Sequence, residues 1–529
     1  MAGAESDNRP TSFIPQEELV TATAEAERIQ SNCGLFAMID VSGSIGGYDL
    51  ADATYRAGKK VQHRAEGDAG YGVFDSRGSG EFVRGKGKID VAFQNGRLIP
   101  IVPDGRIAII HTRYPTSGDS DHMPNIQPMS LDEITLAHHG NLTNAKGVRD
   151  RLGKIEWGGN FPDNDSWVAL NAIARAEGQS LEERMVNAQR KFEGGWAFIA
   201  TDGKGIVASR DPEGIRPLFF GVIGSWENPK AFALAVEDSA LKVEGLEIDT
   251  YREVLPGETI SIKGKEAITV DLSPAPNQRS CIFEIVYMMD PDSKFMGHNI
   301  ATARIKAGEL LWQENPIHVE EGDQITIMPV PDSGRDYETG YFRAAHRALG
   351  NRVDRVEGLK KKRYEGRSFI QPTGKRNPSE RFMVIPELVK GKKVLLVDDT
   401  LVRGDTMGGG KKLEGLVFML RNAGASEVHV RLGAPAIVNP CYWGVAFPTR
   451  EELSAHNYPD INERARILGV DSLGYLSLNG LFEACGADNE TREKFCTYCF
   501  GGNGPRKVPT SLGIDSGTID LIELKIIRK

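Results

Sequence analysis

Short apolar runs separated by polar turns recur along the chain, and the length and period of each run predict its element. Val394 to Val397 are four consecutive apolar residues and predict a short buried strand. Two carboxylates, Asp398 and Asp399, follow at once, then a turn with Gly404 that ends in hydroxyls. Ile325 to Pro329 predicts another strand, running into the polar turn Asp332-Ser333-Gly334. Ile300 to Trp312 and Lys411 to Ala423 predict helices, and Glu427 to Gly433 a further strand. Strands and helices that alternate in this way predict a parallel sheet. The first half has a different pattern. Cys33 to Asp40 predicts a buried strand that opens on a cysteine. The runs beginning at Ile109, Leu136, Gly194 and Ile206 predict strands leading into polar turns. Asp163-Asn-Asp-Ser-Trp opens a helix, with Asp165 or Ser166 near its N-cap. Cys281 to Tyr287 predicts a strand between the two halves.

Composition narrows the class. A chain of 529 residues is long enough for two or more domains. It is 40% hydrophobic and 26% charged, which is globular rather than disordered. A net charge of -9 argues against a general nucleic-acid binder. No apolar run is long enough to span a membrane, and the first residues lack the charge and apolar core of a secretory signal. A cytoplasmic protein follows, so its six cysteines are candidates for catalysis or metal binding rather than disulfides.

The stretch Val394 to Thr406 suits a sugar phosphate. Adjacent acids at the carboxyl end of a strand can accept hydrogen bonds from ribose hydroxyls, and loop amides with Thr400 and Thr406 can cradle a phosphate. The plainer reading of the same residues is a strand ended by a capping Asp-Asp-Thr. The stretch also resembles the 5-phosphoribosyl-1-pyrophosphate (PRPP) motif of the type I phosphoribosyltransferases. That resemblance implies that Asp398 and Asp399 hold the ribose, while Arg403, Gly404, Asp405 and Thr406 wrap the 5-phosphate. It further implies that Asp332 and Ser333 form the pyrophosphate-side wall, and that a basic loop carrying Lys361, Arg363 and Arg367 closes over PRPP. Mg²⁺ is expected with PRPP, near Asp398 and Asp399. Departures from the family pattern fall at Asp290, where an arginine is usual, and at residues 381–386.

The blocks at Cys33, His111-Thr-Arg113-Tyr-Pro, His138-His139-Gly140-Asn141, Asn164-Asp165-Ser166 and Gly194-Gly-Trp resemble the class II, N-terminal-nucleophile (Ntn) glutamine amidotransferase domain. With the PRPP motif downstream, the whole chain resembles the amidophosphoribosyltransferase family. The fold implied is α+β and α/β: an Ntn-hydrolase αββα sandwich over 33–270, then a type I phosphoribosyltransferase parallel-sheet domain over 271–470. A C-terminal segment, 471–529, follows. Cys33 is implied as the nucleophile, with its own α-amine as base once a propeptide, residues 1–32, is removed. An α-amine with a pKa near ~8 suits that proton transfer. Arg113 is implied to take the glutamine carboxylate and Asp165 its amino group. Gly140 and His139 are implied as the oxyanion hole, His139 standing where the family has asparagine. Loss of such a donor costs about 3–4 kcal/mol of transition-state stabilisation.

Cys496-Thr-Tyr-Cys499 alone suits zinc, iron–sulfur or redox chemistry. A subset of the family holds a [4Fe-4S] cluster, and Cys281, Cys441, Cys496 and Cys499 match its ligand positions. The resemblance also implies a homo-oligomer, usually a tetramer, inhibited by purine nucleotides. The expected activity is synthesis of 5-phosphoribosylamine from PRPP and glutamine. The alternative is a PRPP-binding or ammonia-dependent relative with an impaired glutaminase.

Overall fold

The computed structural model describes residues 33–113, 121–246, 248, 250–362, 381–404, 407, 415–445, 447 and 449–505. Two antiparallel sheets build the first half. The first runs Thr250–Glu253, Phe219–Gly224, Pro229–Ala235, Gly34–Asp40, Gly105–Arg113, Asp68–Asp75 and Gly80–Lys86 in spatial order. The second runs Glu266–Leu272, Glu258–Lys263, Gly205–Arg210, Gly194–Thr201, Ile134–Leu142 and Met129–Leu131. Alternation along the second sheet decides its packing. Ala137, Ala197, Ile199 and Ala208 turn toward the first sheet and share one core with Leu35 and Ile39. Leu136, Trp196, Phe198 and Val207 turn the other way, onto the helices Asp165–Ala174 and Leu181–Gln189. The helix Gly47–Lys60 packs its buried Leu50, Ala53 and Ala57 on the first sheet. Helix, sheet, sheet, helix is the αββα sandwich.

The second half is a five-stranded parallel sheet, ordered Val353–Arg355, Ile325–Pro329, Lys393–Asp398, Glu427–Leu432, Ser472–Tyr475. Its strands are covered on both faces, which explains the unbroken apolar run at 394–397. Leu395 and Val397 join the core under the helices Ile300–Glu314 and Arg335–Leu349, while Val394 and Leu396 face Leu416 and Leu420. The two helices approach closely through Gly308 and Gly340, where a Cβ would collide with the carbonyls of Tyr337 and Ile305. The chain steps from Ile325–Pro329 to one side and then to the other, so the order reverses beside Lys393–Asp398. Ligands bind open α/β sheets at such a switch point.

Three expectations change. The parallel sheet continues past residue 470, because Ser472–Tyr475 is its edge strand, too short to stand out as a periodic run. Residues 281–287 are not one strand: Ser280–Cys281 pairs in parallel with Phe495–Cys496, and Glu284–Met288 then forms a π-helical turn. The helix predicted from Lys411 is described from Leu416 to Asn422. Among the described residues no helix is long and apolar enough to cross a membrane. One hydrophobic core joins the two halves, running from Phe36 through Phe283 to Tyr337 and Val397.

Candidate active sites

Cys33 is buried at the start of the central strand of the first sheet. Gly34 N donates to Thr112 Oγ1 at 3.0 Å, fixing that strand end against the strand bearing Arg113. His139 lies beneath it, fully buried. Burial, then the charges of Arg64 and Arg216, hold its pKa well below the ordinary histidine value, so the ring is neutral. Its Nδ1 lies 3.3 Å from the Cys33 nitrogen and its Nε2 3.4 Å from Arg64 Nη2. A neutral imidazole has one N–H and one lone pair. Arg64 only donates, and so does a peptide nitrogen at residue 33; two donors face one lone pair. A free α-amine on Cys33 would remove the conflict by offering a lone pair of its own. The single N–H of the neutral ring thus faces either the Cys33 nitrogen or Arg64. Gly140, at φ +141, packs where a Cβ would strike the Gly195 carbonyl, so no larger residue fits there.

Asp165 opens its helix behind an N-cap supplied by Asn164, whose side chain accepts from Trp167 N; the cap is one residue earlier than expected. Asp165 Oδ2 accepts from Leu142 N at 3.1 Å. Burial pushes its carboxyl up to about 6, against backbone N–H groups and the Arg113 charge that pull it down. Arg113 Nη1 donates to Asp68 at 2.9 Å. Arg113 and Asp165 thus present a cation and an acid within electrostatic reach of each other, which suits the two ends of an amino acid. Trp167, in place of an acidic residue, fills the core beneath and donates Nε1 to the Glu156 carbonyl at 2.8 Å.

Arg64 connects this site to the second half. It donates to the Cys33 carbonyl at 3.3 Å, to Glu237 at 3.0 Å and to Glu284 at 2.9 Å. All three side chains are almost wholly enclosed. Burial works against the Arg64 charge, and Glu284 and Glu237 outweigh it. Glu237 also takes His63 Nε2 at 3.0 Å and the backbone nitrogen of Asp290 at 2.6 Å. Sequence reasoning passed over Arg64, Glu237, Glu284 and His63. The available signal was a carboxylate inside an apolar run, as in Cys281-Ile-Phe-Glu284-Ile-Val.

At the switch point, Ser333 Oγ donates to Asp398 Oδ1 at 2.7 Å, and Thr400 Oγ1 to Asp399 Oδ2 at 3.0 Å. Asp398 and Asp399 are buried; desolvation first, and for Asp398 the neighbouring Asp399 as well, raise both carboxyls above the usual range. A cavity opens over them, lined also by Asp332, Lys361 and Gly404 and reaching His63 on its far side. Lys361 Nζ lies 3.1 Å from Asp332. Arg403 lines the same cavity, and its Nε donates to Glu452 at 2.6 Å. Arg363, Arg367, Asp405, Thr406 and residues 1–32 lie outside the described residues.

Cys281, Cys441, Cys496 and Cys499 are all buried. Cys281 and Cys496 are partners across the short parallel ladder, and Cys499 accepts from Val438 N at 2.8 Å through its carbonyl. Cys499 senses the charges of the other three, so the four thiols share one neighbourhood. Among the described residues no three side chains of His, Cys, Asp and Glu are drawn tightly enough to hold a single metal ion. A four-iron cluster spreads its thiolates, one to each iron. Four thiols in one neighbourhood are a donor set of the kind a [4Fe-4S] cluster takes. Cys485 is buried apart from them, and burial pushes its thiol up to about 12.

An αββα domain with a buried cysteine opening its central strand, joined to a parallel sheet with paired carboxylates at its switch point, defines an Ntn-type amidotransferase fused to a phosphoribosyltransferase-type domain. Residues 111–243 match the glutamine amidotransferase domain family. The chain is 33% identical to the amidophosphoribosyltransferase of Rhizobium etli, the alignment covering 93% of this chain and 95% of that one. It is 32% identical to the amidophosphoribosyltransferase of Bacillus subtilis, over 92% and 96%. The structure of the B. subtilis glutamine PRPP amidotransferase complexed with ADP and GMP superposes with a TM-score of 0.74 at 31% identity, covering 89% of this chain and 97% of that one. The chain belongs to the amidophosphoribosyltransferase family of enzymes.

The Asp165 carboxyl gives a stability prediction. Its folded pKa is raised from 3.8 to about 6, so its favourable contribution is complete below pH 3.8 and is lost as the pH rises through 6. Asp165→Asn should match the parent's stability at pH 3.5 and exceed it at pH 7.5, by about 2–3 kcal/mol. Urea unfolding at the two pH values checks this; a variant less stable at both would contradict it.

Proposed function

We propose that this chain makes 5-phosphoribosylamine from PRPP and glutamine, the first step of purine synthesis. Family membership over nearly the whole chain supports the reaction. The observation that favours two coupled sites is the cavity lined by Asp398, Asp399 and His63, since His63 shares its partner Glu237 with the Arg64 that donates to the Cys33 carbonyl. In this reading residues 1–32 are removed and the Cys33 amine takes the thiol proton. The thiolate attacks the glutamine amide carbon, and the amine returns the proton to the leaving ammonia. Gly140 N–H faces the oxyanion, Arg113 takes the substrate carboxylate, and Asp165 its ammonium. Water then releases glutamate from the thioester. Ammonia crosses by His63 to the second site and displaces pyrophosphate from C1 of PRPP. Asp398 and Asp399 accept the ribose hydroxyls, Thr400, Gly404, Asp405 and Thr406 receive the 5-phosphate, and Asp332, Ser333, Lys361 and Arg363 serve the pyrophosphate.

Mg²⁺ would sit with the substrate oxygens near Asp398 and Asp399, offsetting the pyrophosphate charge. Burial raises both carboxyls, the Asp399 charge raises Asp398 further, and a cation beside them would offset that repulsion. Cys281, Cys441, Cys496 and Cys499 would hold a [4Fe-4S] cluster that pins the C-terminal segment to residues 280–281. A propeptide-bearing, cluster-bearing homotetramer in the cytoplasm, inhibited by purine nucleotides, completes the reading. The ADP and GMP bound by the B. subtilis relative support the last point.

Protein whose intact mass begins at Cys33 should release glutamate and pyrophosphate in equal amounts when given glutamine and PRPP. Pyrophosphate release with ammonium but not with glutamine would contradict a working glutaminase. The geometry of His139 favours that second reading, an enzyme with a weakened glutaminase that uses ammonia. His139→Asn is therefore expected to raise PRPP-stimulated glutamate release by about 10²-fold. No rise would mean that His139 already serves as well as an asparagine.

A further inference from the structure

The buried charges around Cys33 continue toward the four cysteines. Glu284, which holds Arg64 on one side, takes Arg216 Nη1 at 3.2 Å on the other. Arg216 is fully buried, and among the described residues its Nε and Nη2 have no hydrogen-bond partner. Buried donors of this kind ordinarily meet an acceptor. Asp211, the other carboxylate nearby, is taken up by backbone: it accepts from Ile215 N at 2.9 Å and from Arg216 N at 3.0 Å. Arg210 binds the carbonyls of Arg216 and Gly214. The other groups that act on the Arg216 charge are the thiols of Cys281 and Cys441. Cys281 N donates to Ile215 O at 3.3 Å, and Ser280 Oγ to Gly214 O at 3.0 Å, so the Arg216 segment is joined to the ladder of Cys281 and Cys496.

We propose that Arg216 is the charge partner of the anionic group held by Cys281, Cys441, Cys496 and Cys499, and that Glu284 ties this group to the Arg64 beside Cys33. The proposal rests on reading the four cysteines as ligands of an iron–sulfur cluster. Thiolates and sulfides in a buried site carry net negative charge, and hydrogen bonds to them set both retention and potential. A guanidinium is always charged and offers two N–H groups along one edge. Arg216 is a positioning residue: it acts on Cys33 through Glu284 and Arg64, and through its charge on the neighbouring His139.

The test uses anaerobically purified full-length protein beside Arg216→Gln and Glu284→Gln, with folding checked by circular dichroism. Iron and acid-labile sulfide per chain, the rate of iron loss to a chelator, the midpoint potential and the alkylation rate of Cys33 are measured. Arg216→Gln is expected to lose iron about 10-fold faster and to have a lower midpoint potential. Glu284→Gln, which removes a negative charge from the same line, is expected to raise the potential. A role in packing alone would not move the two variants in opposite directions. Cys33 should alkylate at a changed rate in both. If the parent holds iron and sulfide while both variants keep its potential and its iron, Arg216 is not the charge partner and the cluster reading stands. If Arg216→Gln does not fold, an unchanged potential in Glu284→Gln overturns the proposal by itself. Unchanged Cys33 alkylation in both overturns the tie through Glu284. A parent without iron or sulfide overturns the cluster reading and this proposal together.

Discussion

Arg64 between Glu237 and Glu284 is the contact that the rest of the structure depends on. Burying three charges is unfavourable unless each finds its partner, and removing one partner leaves an uncompensated charge in the interior. Glu237 comes from the first domain and Glu284 from the π-helical turn that begins the second. The cation therefore sets the spacing of the two halves, and Cys33, His139 and His63 take their places around it. A lysine could satisfy the charge but not the geometry, because only a guanidinium reaches two carboxylates and a carbonyl along fixed directions.

The second constraint is topological. The strands Ile325–Pro329 and Lys393–Asp398 are neighbours in register, so their carboxyl ends bring Ser333 and Asp398 together without any further device. The same strands are covered on both faces, which desolvates the carboxylates and raises their pKa values. One cavity then spans from these acids to the rim of the Arg64 cluster. Two chemistries are joined by packing rather than by a separate linker.

Much of this was legible in the sequence wherever function sits at the end of a regular element. Cys33 begins a buried strand, Asp398 and Asp399 end one, and Asp165 starts a helix; each is marked by a change of period. The ionic cluster was not legible, because Arg64 and Glu284 meet across 220 residues and no local pattern pairs them. The contact of Arg403 with Glu452 was hidden for a similar reason, because Glu452 lies in a later loop. The edge strand Ser472–Tyr475 and the turn at Glu284–Met288 are too short for periodicity to reveal. His139 was visible as a departure, but its two opposed donors appear only once Arg64 is placed beside it.

The most direct measurement compares pyrophosphate release by Arg64→Lys with glutamine and with ammonium as the nitrogen source. If Arg64 couples the two sites, the glutamine-dependent rate falls by about 10²-fold or more, as displaced catalytic groups do, while the ammonium-dependent rate stays close to the parent's. Equal loss of both rates, or of neither, would contradict the account.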